Sequence, residues 1–136
     1  AGGYRHFVFN FAVTDAANTH GEGYLHIGST DCSAMGNNAL EDRDTCGFVN
    51  TPAVTLSAFD LTKDTVGVEL KKALQGLDFI SPVYDADFNV IGQGPGVECH
   101  SSPGQPDCPT IFSSFGIDIS SGNSASGTNA VFVRVQ

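Results

Sequence analysis

Histidine is the side chain best suited to proton or metal chemistry near neutral pH, and this sequence carries four: His6, His20, His26 and His100. His6 and His26 fall on the polar sides of two segments that alternate as strands. Pairing of those strands would bring the two rings toward each other, with His20 on the connecting loop. Imidazoles gathered in this way suit copper or zinc. The spacings match no metal motif, and isolated surface histidines are the competing reading.

A second candidate is Asp85, Asp87 and Asn89, a D-x-D-x-N series that resembles the start of a calcium loop. Val90 stands where such a loop needs glycine, and Gly96 where it needs the bidentate glutamate, so a plain hairpin turn competes with a calcium site. A third group, Asp31, Glu41, Asp42 and Asp44, could offer a cation site or paired glycosidase carboxylates. With Arg43 among them, these residues read as a solvated loop. Nucleophilic catalysis has little support: no G-x-S-x-G elbow, H-E-x-x-H motif or phosphate-binding loop is present.

The four cysteines, Cys32, Cys46, Cys99 and Cys108, are an even set in a turn-rich chain, which predicts disulfides and an oxidising compartment. Their closeness in pairs favours Cys32–Cys46 and Cys99–Cys108, each closing a loop of Gly, Pro, Asn and Asp. A zinc site of four cysteines would need C-x2-4-C pairs that are missing. Cys99-His100 would matter as a catalytic pair only with a free thiol.

The elements that must position these groups are mostly strands. In Tyr4 to Val13, Phe7, Phe9, Phe11 and Val13 alternate with His6, Val8, Asn10 and Ala12, giving one strongly apolar face. Thr14 to Gly23 reads as a turn, Tyr24 to Gly28 as a second strand, and Ala53 to Leu61 as a third. The spacing of Val66, Leu70, Ala73, Leu74 and Leu77 predicts one short helix near 64–75, although Val66, Val68 and Leu70 also alternate. Leu77 to Gln93 reads as a hairpin turning at Ala86–Asn89, and Gly92 to Pro109 as the second disulfide loop. Phe115 to Ser120 (FGIDIS) and Ala130 to Gln136 (AVFVRVQ) supply further strands, separated by the loop SSGNSASGTN. The expected fold is all-β: a single-domain antiparallel sandwich or barrel spanning residues 1–136, with two disulfide-closed loops.

Composition narrows the function. The net charge is −9, with 15 acidic and 6 basic residues, and no basic stripe is present. Nucleic acid would be repelled, and no apolar run is long enough for a membrane-spanning helix. A chain opening at Ala1 is expected to be the mature form of a secreted or periplasmic protein. The reading is a non-enzymatic extracellular structural or binding domain, a candidate self-associating surface, matrix or filament subunit joined through its terminal strands. The alternative is a secreted metal-binding protein, taking copper or zinc through His6, His20 and His26, or calcium through Asp85, Asp87 and Asn89.

Overall fold

The computed structural model describes residues 5–32, 46–124 and 129–136. In chain order the strands are β1 (Arg5–Thr14), β2 (His20–Gly28), β3 (Thr30–Cys32), β4 (Cys46–Phe48), β5 (Thr65–Val68), β6 (Ile80–Tyr84), β7 (Val90–Pro95), β8 (Val97–His100), β9 (Ile117–Asp118), β10 (Asn123–Ser124) and β11 (Phe132–Val135). Helix α1 is Leu70–Ala73, and α2 is Cys108–Ser114. Strands hold 45% of the described residues and helix 10%, so the all-β reading stands; among these residues no barrel closes.

The main sheet is β1-β2-β8. β1 and β2 pair antiparallel with Phe9 opposite Leu25 and Phe7 opposite Ile27, so the aromatic row of β1 and the aliphatic row of β2 share one face. Phe7, Phe9, Phe11 and Val13 are half-buried while the residues between them are exposed, matching the alternation in the sequence. Gly23 lies opposite Phe11; a side chain there would collide with the Phe11 ring, so the glycine makes room for it. Tyr4, expected to open the strand, lies outside the described residues.

Leu25, Ile27, Val97 and Cys99 of the sheet are buried against Ile111, Phe112 and Phe115, with Ile117 and Val131 completing the core. Phe7, Phe115 and Phe132 form an aromatic triangle with ring centroids 5.2 to 6.4 Å apart. Full burial of each large side chain contributes about 1.5–3 kcal/mol. Among the described residues there are also four two-stranded antiparallel ribbons: β3–β4, β5–β11, β6–β7 and β9–β10. Both expected disulfides are formed, Cys32–Cys46 between register partners of β3 and β4, and Cys99–Cys108 between β8 and α2.

Several elements differ from expectation. The second disulfide segment is not all loop: it contains β8, which pairs parallel with β2, so the main sheet is mixed. It also contains the start of α2. Pro109 sits in the first helical turn, where its missing N–H leaves no bond unmade, and Ile111, Phe112 and Phe115 face the core. The FGIDIS strand shortens to Ile117–Asp118. The helix near 64–75 occupies only Leu70–Ala73, because Thr65–Val68 pairs with β11. Ala53 to Leu61 is no strand. Its backbone turns at Ala58, which has a φ of +54°, and Arg134 reaches across to the Ala58 carbonyl at 2.6 Å. β2 starts four residues earlier than expected, which moves His20 from the loop into the strand. The inner part of the first disulfide loop, with Glu41, Asp42 and Asp44, lies outside the described residues.

Two hairpin turns share one design. Asp15 Oδ1 accepts the amides of Ala17 and Thr19 at 2.9 and 2.8 Å, and Asp85 Oδ1 accepts those of Asp87 and Asn89, each at 2.9 Å. The fourth residue is left-handed in both turns, with φ of 62° at Asn18 and at Phe88. Asparagine tolerates that conformation, whereas phenylalanine is strained in it by about 1–2 kcal/mol. Phe88 is 86% exposed, so its ring recovers little by burial. Phe88→Asn is therefore expected to stabilise the fold by about 1 kcal/mol, a rise of roughly 2–4 °C in Tm. An unchanged or lower Tm by calorimetry would contradict this description of the turn.

Candidate functional site

The polar face of the main sheet collects the groups with the most chemical potential. Tyr24 and His26 project from β2 on the side opposite Leu25 and Ile27, beside Asn10 of β1. The parallel ladder sets Tyr24 opposite Glu98 and His26 opposite His100. Nδ1 of His100 lies 3.0 Å from Nδ1 of His26, and Nε2 of His26 lies 2.7 Å from Oδ1 of Asn10. An amide oxygen only accepts, so His26 donates from Nε2 and keeps its lone pair on Nδ1. In the neutral pair, His100 then donates its Nδ1 proton to His26.

The surroundings hold this arrangement. The Tyr24 ring lies 4.8 Å from that of His100 and 5.9 Å from that of His26. The Tyr24 hydroxyl donates to the Glu22 carboxylate. Gln105 accepts the backbone amide of His100 at 2.6 Å and donates to Glu98 at 3.3 Å, while the Tyr84 hydroxyl donates to Glu98 at 3.1 Å. That bond to Glu98 raises the Tyr84 pKa. Beneath the sheet, Ser101 donates to the His26 carbonyl at 2.9 Å, and Cys99 is bridged to Cys108. His26 is buried and His100 exposed, so the pair runs from the sheet to solvent.

The other predicted residues lie elsewhere. His6 Nε2 is within 3.1 to 3.2 Å of Ser29 Oγ, the Val49 carbonyl and Thr51 Oγ1, joining β1 to the chain after β4. His20 pairs with Thr14 at the far end of the β1–β2 ribbon, at 3.0 Å. The structure therefore does not bring His6, His20 and His26 together; the ring that meets His26 is His100. Asp85 spends its carboxylate on the turn. Hydrogen bonds from Asn89 above all, and from Asp87, hold its pKa below the usual carboxylate value. Among the described residues, no three His, Cys, Asp or Glu side chains converge as a metal cluster. No cysteine is free, so Cys99 is not a nucleophile.

Asp107, just before α2, was not singled out in the sequence. Its carboxylate accepts the Glu98 amide at 2.7 Å and so locks β8 to the helix, and burial raises its pKa. The signal for it was Asp-Cys-Pro, an acidic residue placed before a proline-started helix.

Comparison with protein-family models, with curated proteins and with solved structures finds no match, so chemistry alone guides the reading of this face.

Burial first, then the nearby charges of His100 and Arg5, hold the His26 pKa below the ordinary 6.5. As pH falls through about 6.5, the unfolded chain takes up a proton that folded His26 does not, so stability is lost down to the folded pKa. Thermal melts from about pH 7.5 to about pH 5 should show a steeper fall in Tm for the wild type than for His26→Gln. Equal slopes would contradict the buried, neutral His26.

Proposed function

We propose that this chain is a non-enzymatic extracellular binding domain that takes one divalent transition-metal ion, copper(II) in preference to zinc, through His26 and His100. The observation that carries the reading is the 3.0 Å separation of the two Nδ1 atoms on adjacent strands. With metal–nitrogen bonds of about 2.0–2.1 Å, that separation subtends roughly 95° at the ion, close to the cis angle of tetragonal copper(II). At nitrogen sites of this kind the general order of divalent affinities sets copper(II) above zinc.

The Asn10 bond supports the same reading. A metal-binding imidazole commonly gives its other N–H to an oxygen, which fixes the ring and its tautomer. His26 does this, and His100 would ligate through Nδ1 as a neutral imidazole once the proton it shares with His26 moved to its own Nε2. Water fills the remaining positions on the solvent side. Two disulfides fit an oxidising compartment, where copper(II) is the stable oxidation state.

Copper(II) titration followed by calorimetry and electron paramagnetic resonance should show one ion per chain with two imidazole nitrogens. His100→Ala should weaken binding at least tenfold, and Asn10→Ala by roughly 10–100-fold, while His20→Ala leaves it unchanged. Equal affinity in wild type and His100→Ala would reject the site.

One observation favours a second reading, self-association through a terminal strand. β1 is ten residues long and outermost in its sheet, and no described residue pairs with its other edge. Sedimentation velocity over a range of concentrations should then show growing species; a monomer throughout would reject this reading.

A further inference from the structure

We infer that the apolar pocket between the 51–59 segment and the β5–β11 ribbon binds a small neutral apolar molecule. This site is separate from the histidine pair. The pocket holds about 450 Å³, within the range typical of small-molecule sites. Phe7, Val66 and Phe132 line it together with Val54, Leu56 and Phe59. These side chains come from four separate stretches of chain and line a hollow that opens to solvent.

The wall is built in advance of any ligand. Asn50 Nδ2 donates to the Gly28 carbonyl at 2.9 Å, and the Asn50 amide donates to the Gly122 carbonyl at 3.0 Å. Ser124 donates to the Thr51 carbonyl, and Arg134 to that of Ala58. Arg134 is fixed in turn by Asp64, whose carboxylate it meets at 3.3 Å. These bonds pin the 51–59 segment at both ends although it forms no strand. An irregular, apolar stretch held open in this way leaves Val54 and Val66 at 36% and 52% exposure, surface that an apolar ligand would cover.

Ligand class follows from the lining. In a chain of net charge −9, no Asp, Glu, Lys or Arg among the described residues lines the pocket. A charged ligand would lose its hydration there without gaining a counter-charge. The polar groups of the lining, His6 and Thr51, are hydrogen-bonded to each other at 3.2 Å, and His6 also meets Ser29 and Val49, so a ligand would be held by apolar contact.

The neutral fluorophore N-phenylnaphthylamine, an apolar aromatic with one N–H, is the probe. Wild-type protein should enhance its fluorescence saturably at one probe per chain. Val54→Arg and the uncharged Val66→Gln, both at partly exposed positions, should each weaken binding, the first at least tenfold, with the wild-type Tm retained; a cation at 66 is avoided because Arg134 lies directly opposite it. Val90→Arg, on the distant β6–β7 hairpin, should leave it unchanged, as should His100→Ala, which separates this site from the metal reading. Absence of saturable binding, or equal binding by both pocket variants with wild-type Tm, would overturn the inference. Weaker probe binding as protein concentration rises would assign the pocket to a second copy of the chain and overturn it equally.

Discussion

The parallel pairing of β8 with β2 is the constraint on which the rest of this structure depends. A parallel pair cannot be closed by a tight turn, and these two strands lie far apart in the chain. β8 is short and sits in a run rich in glycine and proline, so it has little strand tendency of its own. What holds it is the core beneath. Cys99 is bridged to Cys108 at the start of α2, the Asp107 carboxylate takes the Glu98 amide, and α2 lays Ile111 and Phe112 under Leu25 and Ile27. In the chain-entropy model, closing a loop of that length contributes roughly 3 kcal/mol.

The two faces of the sheet are coupled by this arrangement. Strand side chains alternate, so fixing Cys99 under the sheet fixes His100 above it. The same rule sets His26 above the sheet between Leu25 and Ile27. Folding energy is thus gathered on one face, while the other carries the imidazoles, Tyr24, Glu98 and Asn10 in a defined register. Among them Asn10, His26 and His100, one from each of three strands, are hydrogen-bonded in a row without any loop to place them.

Local patterns were legible in the sequence, and long-range ones were not. The alternation of Phe7, Phe9 and Phe11 revealed β1 because a half-buried strand has a period of two. Asp85 and Asn89 revealed a turn because their side chains bond nearby amides. Neighbouring cysteines revealed both bridges. His26 and His100 are separated by 74 residues and meet only through a parallel pairing with no local signature, so the sequence suggested His6 as the partner instead. Ala53 to Leu61 misled for the opposite reason: its alternation is genuine, but its apolar side chains line a pocket rather than a sheet. In α2, the alternation of the following FGIDIS masked a helix that Pro109 already announced.

The geometry of the imidazole pair is the centre of this account, and NMR of the imidazole nitrogens tests it most directly. The account predicts that His26 is protonated at Nε2 with its lone pair on Nδ1. It also predicts that added zinc, the diamagnetic stand-in for copper, shifts the Nδ1 resonances of His26 and His100 together while those of His6 and His20 stay fixed. A His26 protonated at Nδ1, or two rings that respond to metal independently, would contradict it.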